Sequence, residues 1–151
     1  MPVYQVKDIL EHIRAYHRSL SQQLDELSVH ETDERLRLLT KHIARHEVNF
    51  NRALARYEHG TAQGVLNTWL RFVPEESVDS ALKGIQLSDD MSAEEILASV
   101  LAFDQSLIEL YHELTDETPL PRIQELFNNL LEMERNNERQ FSLTVLGLSD
   151  D

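Results

Sequence analysis

Apolar residues recur every three or four positions along four stretches of the chain, and polar segments separate these stretches. This spacing puts them on one face of a helix, so the pattern predicts four helices with one buried face each. The first two faces consist of Ile9, Ile13, Tyr16, Leu20 and Leu27, and of Leu36, Leu39, Ile43, Phe50, Leu54 and Tyr57. The last two consist of Ile96, Val100, Phe103, Leu107 and Leu114, and of Ile123, Leu126, Leu130, Met133 and Phe141. An all-α fold is therefore predicted.

Residues that favour helix starts lie between these stretches. Thr32 or Asp33 is suited to cap the second helix, and Ser92 with Glu95 forms the pattern of a capping box before the third. Pro121 suits the first turn of the last helix. The four helices are thus predicted to form two hairpins.

The second half of the chain repeats the first at a distance of 87 residues. A gapless shift of this length aligns 12 identical residues between positions 9 and 52, where unrelated sequences would give about three. Glu47 falls on Glu134 in this alignment, and Arg52 falls on Arg139. Two copies of one helical hairpin are therefore predicted.

The repeat predicts a single domain that covers residues 1–151. The first hairpin spans about residues 5–59 and the second about residues 92–146, with a crossover of about residues 60–91 between them. An up-and-down arrangement needs only a few residues at this point, whereas a long connection is typical of a bundle that has one crossover. The predicted architecture is an antiparallel four-helix bundle with a long crossover between its second and third helices.

The crossover itself contains an apolar segment. Gly60 is predicted to end the second helix. A short apolar helix is then predicted from Val65, Leu66, Trp69, Phe72 and Val73, and Pro74 is predicted to end it. An aromatic-rich segment of this kind either covers its own bundle or pairs with a second copy, and we expect a homodimer that uses the segment around Trp69.

Charge and composition exclude several classes of partner. The chain has 14 Lys and Arg against 27 Asp and Glu, a formal net charge of −13, which disfavours nucleic acids and anionic membranes as partners. It has no cysteine, which excludes disulfides and thiol chemistry. No apolar run approaches the about 18 residues that span a bilayer, and no secretory leader opens the chain, so a cytoplasmic protein is expected.

One polar residue interrupts the apolar face of each predicted helix. Glu47 and Glu134 occupy equivalent positions on the second and fourth helices, and His17 and Asp104 occupy equivalent positions on the first and third. Two hairpins that pack about a pseudo-twofold axis bring equivalent residues together at their centre. This set of three carboxylates and one imidazole is the pattern of a metal site in a bundle core, with Fe, Mn or Zn as candidate ions.

The four helices and these positions resemble ferritin-like proteins of the rubrerythrin and bacterioferritin type. That resemblance implies a di-metal centre with a Glu on two helices and Glu-x-x-His on the other two, and with it metal-dependent redox chemistry or iron handling. The family's histidine positions hold Phe50 and Asn137 here, and His17 stands where the family has a carboxylate. An intact di-iron site of the usual type is therefore not expected.

Three interpretations of His17, Glu47, Asp104 and Glu134 follow from the sequence. They form a divergent metal site in which His46 or Asn137 assists, or a vestigial site whose polar groups satisfy one another, or a set of groups at the edge of the apolar faces in water. Clustered carboxylates cannot all stay buried and ionised without a counter-charge, which favours the vestigial interpretation.

The sequence does not decide whether the protein is an enzyme. A non-catalytic helical dimerisation or interaction module without a metal is the alternative function. A hemerythrin-like bundle is the third, because Tyr16-His17-Arg18 followed by His42 is similar to the first two helices of that family.

Overall fold

The computed structural model describes residues 4–70 and 87–149, with side chains described as far as residue 142. Helix α1 is Val6–His30, α2 is Glu34–His59, α3 is Gln63–Leu66, α4 is Ala93–Glu117 and α5 is Pro121–Ser149. Within these ranges extended backbone pairs only at an isolated bridge between Gln5 and Trp69. The predicted all-α class is confirmed.

Side chains and prolines fix the helix starts as the sequence predicts. The Asp33 side chain accepts hydrogen bonds from the backbone N–H groups of Arg35 and Leu36, which caps α2. Ser92 and Glu95 form a capping box at the start of α4. The two pairs of long helices are each joined by three residues, so the second helix of each pair runs back along the first.

The helix ends lie at equivalent positions in the two halves. Helices α1 and α4 start 87 residues apart and also end 87 residues apart, and the starts of α2 and α5 have the same separation. We call α1 with α2 the first hairpin and α4 with α5 the second hairpin. Both hairpins contribute to a single hydrophobic core.

The segment after α2 differs from the sequence prediction. Helix α3 contains Val65 and Leu66 but ends there, and Trp69 forms the bridge to Gln5 instead of continuing a helix. The backbone of residue 70 donates to Tyr4 O at 2.9 Å, so this segment is tied to the chain that precedes α1. Phe72, Val73 and Pro74 lie outside the described residues.

None of the described helices is both long enough and apolar enough to cross a lipid bilayer. This agrees with the sequence, in which charged residues interrupt every long helix. Trp69 has 59% of its surface exposed, and Leu70 beside it is buried in the core.

Candidate functional site: a buried histidine between two carboxylates

The four polar residues singled out in the sequence all lie inside the protein. His17 of α1, Asp104 of α4 and Glu134 of α5 have no exposed surface, and Glu47 of α2 has 1%. The interpretation that places these groups at the edge of the apolar faces in water is therefore wrong. They follow the apolar period of their helices closely enough to point inward with the core residues.

Both ring nitrogens of His17 contact carboxylates, one within the first hairpin and one in the second. Nδ1 lies 2.5 Å from Glu47 Oε2, and Nε2 lies 2.9 Å from Glu134 Oε1. A neutral imidazole has a single N–H and can donate to only one of these oxygens. With a carboxylate on each nitrogen, both hydrogen bonds form when the ring is the doubly protonated imidazolium.

Aromatic rings surround this pair of hydrogen bonds. The centroid of the Phe50 ring lies 4.8 Å from that of the His17 ring, and the centroid of the Phe103 ring lies 5.2 Å from it. Both rings are in edge-on arrangements with His17. These apolar walls keep the local dielectric low, which strengthens charge–charge interactions and raises the cost of any charge that lacks a partner. Phe50 stands where the resemblance would place a metal-binding histidine.

The surroundings favour the charged form of His17. Burial lowers the pKa of the imidazole, but the charges of Glu134 and Glu47, together with their hydrogen bonds, raise this pKa well above its ordinary value. Since a charged ring can serve both carboxylates, the geometry and the electrostatics agree. The His17 side chain is a cation that the protein itself supplies.

Asp104 interacts electrostatically with His17, Glu47 and Glu134 but forms no hydrogen bond with them. Both of its carboxyl oxygens are buried and accept no hydrogen bond from any described residue. Burial and the charges of Glu47 and Glu134 raise the pKa of Asp104 well above its ordinary value, while the charge of His17 opposes this. These effects favour the neutral, protonated form of Asp104.

Tyr111 is a fifth member of the network that sequence reasoning missed. It is completely buried on α4, and its hydroxyl donates to Glu134 Oε1 at 3.2 Å, the oxygen that also bonds to His17. Tyr111 lies seven residues after Asp104, which is two helical turns on the same face. That spacing is the signal that could have identified it.

Glu134 is consequently bonded on one side only. Its Oε1 takes the hydrogen bonds of His17 and Tyr111, whereas its Oε2 is buried and has no partner among the described residues. Burial raises the pKa of Glu134, the charge and hydrogen bond of His17 lower it, and the net direction is upward. The hydrogen-bond donors of this centre, His17 and Tyr111, therefore bond to the carboxylates of α2 and α5 and not to Asp104.

The two residues expected to assist a metal site make no hydrogen bond to the carboxylates of the centre among the described contacts. His46 is partly buried, and its Nε2 is 3.3 Å from the backbone carbonyl of Asn137, so it bonds to backbone instead of to the carboxylates. The Asn137 side chain is buried, and its amide nitrogen has no partner among the described residues.

The di-metal centre that the resemblance implies does not fit these residues. Both nitrogens of His17 face carboxylates, which leaves neither lone pair directed at a metal, and Phe50 carries no ligand atom. In the part of the chain that the structure describes, no three His, Asp or Glu side chains are arranged so that they could hold a metal ion.

Comparison of the chain with protein-family models, with curated proteins and with solved structures gives no match. The geometry of the centre is therefore the basis for a functional proposal.

Replacement of Tyr111 by phenylalanine is expected to lower the free energy of unfolding by about 1.5–3 kcal/mol, because a buried carboxylate loses one of its two donors. Urea unfolding measures this change. The matched control is Tyr57→Phe, which removes a hydroxyl that bonds to Asn129 at 3.1 Å near the surface and should cost less than about 0.5 kcal/mol. Equal costs for the two variants would show that Tyr111 does not support Glu134.

Proposed function

We propose that this protein is a ferritin-like four-helix bundle, formed by duplication of one hairpin, whose di-metal centre is vestigial. A metal-free ionic network replaces the centre, and the protein acts as a non-catalytic helical module for dimerisation or partner binding. The double contact of His17 with Glu47 and Glu134 is the observation that carries this proposal.

The helix bounds support the proposed architecture. The equal separation of 87 residues at three helix ends is what duplication of one hairpin would produce. The connection between α2 and α4 is long, as in bundles with ferritin-like connectivity. The hemerythrin-like alternative has less support, because His112 is the one histidine in the sequence of α4 and α5 and its side chain is exposed.

The charges at the centre support a metal-free state. Three carboxyl groups in an apolar core need compensation, and the single positive charge of His17 offsets one negative charge of the Glu47–Glu134 pair. Burial raises the pKa of Glu134 and of Asp104, which favours their neutral forms. No external cation is needed for this balance. A redox role of the kind found in the ferritin-like family would need an ion at this position.

A second candidate function is a divergent site for one Fe, Mn or Zn ion. The buried oxygens of Asp104 and the Oε2 of Glu134, which lack partners among the described residues, favour it, because buried polar atoms normally find a hydrogen bond or a ligand. Binding would have to displace the protons of His17 and break its contact with at least one carboxylate.

Metal analysis of protein purified without chelator distinguishes the two functions. We expect less than about 0.1 equivalent of Fe, Mn or Zn per chain, and a melting temperature that does not change when any of these ions is added, since an ion that binds the folded state would raise it. A stoichiometric ion that is lost in Glu47→Ala and Glu134→Ala would overturn the proposed function and support the second candidate.

The proposed interaction role has a candidate surface around Trp69. Trp69 is 59% exposed, and tryptophans are enriched at protein interfaces, so it is a candidate contact with a second copy of the chain. Sedimentation of the wild type and of Trp69→Ala tests whether a homodimer forms through it.

A further inference from the structure

We infer that the His17 side chain takes the place of a metal ion, and that its removal converts this centre into a binding site for one divalent cation with carboxylate ligands. This inference rests on the proposed function, in which the natural protein is metal-free. On this inference, the residue at position 17 determines whether the positive charge at the centre comes from a side chain or from a bound metal ion.

The position of His17 is the first argument. Its ring lies between Glu47 of α2 and Glu134 of α5, with one nitrogen on each carboxylate. A metal ion that bridges two helices in a bundle core makes the same connection through its coordination bonds. His17 thus offsets part of the negative charge of the two carboxylates and links them, as a structural ion would.

The second argument is the ligand capacity that His17 leaves unused. Asp104 and Glu134 have no exposed surface, so water does not reach their oxygens. Both oxygens of Asp104 and the Oε2 of Glu134 also have no hydrogen-bond partner among the described residues. The charges of Glu47 and Glu134 act on Asp104, so the three carboxyl groups share one environment. Without the ring, the carboxylates of Glu47 and Glu134 would face the space that it fills, with Asp104 within range of their charges.

The chemistry of these groups defines the cation. Carboxylate oxygens are hard ligands that suit Mn²⁺ better than softer ions, and three of them provide the negative charge that a divalent ion requires. Mn²⁺ is therefore the probe. Replacement of His17 by glutamate adds a fourth carboxylate, whereas replacement by alanine leaves three and makes room for water on the ion.

The experiment compares the wild type, His17→Glu and His17→Ala in dialysis against Mn²⁺, followed by metal analysis and thermal unfolding. We expect about one Mn²⁺ per chain in the two variants and a rise in melting temperature of about 5 °C or more when the ion is at 100 times its dissociation constant. The wild type carries the same acidic surface and should show neither effect, so it controls for binding outside the centre.

A ligand-deficient variant tests the location of the ion. Addition of Glu47→Gln to His17→Glu removes a carboxylate and should weaken Mn²⁺ binding at least tenfold. Unchanged affinity would place the ion elsewhere and overturn the inference.

The two proposals fail in different arms of this experiment. Stoichiometric Mn²⁺ in the wild type would overturn the metal-free function, and with it the role of His17 as a substitute ion. A metal-free wild type with His17 variants that also bind no Mn²⁺ would overturn the inference alone. Where a variant does not fold without metal, recovery of its helical circular dichroism on refolding with Mn²⁺ supports the inference, and failure to recover contradicts it.

Discussion

Replacement of His17 by leucine is expected to lower the free energy of unfolding by about 3–5 kcal/mol, because it leaves Glu47 and Glu134 buried without their counter-charge. For a domain of this size the corresponding fall in melting temperature is about 6–20 °C. Urea or thermal unfolding at neutral pH measures it. Among the described residues, no other side chain makes two buried ionic contacts.

Two controls separate the loss of charge from the change of shape. Ile13→Leu changes a buried residue one turn earlier on α1 at constant volume and should cost less than about 1.5 kcal/mol. His17→Leu combined with Glu47→Gln and Glu134→Gln removes the uncompensated charge and should recover at least half of the lost stability. A cost for His17→Leu no larger than that for Ile13→Leu would show that the buried cation is not needed.

The stability of the protein is expected to fall as the pH rises above about 6.5. His17 has a folded-state pKa well above its ordinary value, so in this range the folded protein keeps a proton that the unfolded chain has lost. One retained proton lowers the free energy of unfolding by up to about 1.4 kcal/mol per pH unit. The stabilising contribution of the His17 proton is complete below about pH 6.5, and it is lost as the pH rises through the folded-state pKa of His17.

Neighbouring groups act in the same direction but begin at lower pH. The folded-state pKa values of Asp104 and Glu134 are also raised, so their contribution starts to fall once the pH exceeds the ordinary carboxyl pKa of about 4. Urea unfolding of the wild type and of His17→Leu at pH 7, 8 and 9 isolates the part that belongs to His17. The wild type should lose stability across this range and the variant should lose much less, and parallel slopes would refute the assignment.

The sequence predicted the parts of this structure that depend on a single helix. The apolar period located the four long helices, and local chemistry located their starts at Asp33, Ser92 and Pro121. The same period placed Glu47 and Glu134 on buried faces, where they lie. These features depend on residues within one or two turns of each other, so spacing is sufficient to predict them.

Features that depend on contacts between helices could not be predicted in this way. Spacing places His17 and Glu134 on inward faces, but it does not say which nitrogen meets which oxygen, because that depends on the packing distance between α1 and α5. Spacing could have placed Tyr111 on the inward face of α4, but its hydrogen bond to Glu134 depends on the packing of two helices. The extent of α3 was wrong because Trp69 pairs with Gln5, a residue that lies far away in the sequence.

The unlike residues at positions 17 and 104 give the two hairpins different parts in assembly. The first hairpin contains both a cation and a carboxylate, whereas the second contains two acidic groups and no buried base at the matching place. If two copies of the second hairpin packed together, acidic side chains would face acidic side chains. The contact between His17 and Glu134 forms only when the first hairpin packs against the second. The two hairpins, which share 12 identical residues between positions 9 and 52, thus carry a base in one and an acid in the other at the same aligned position.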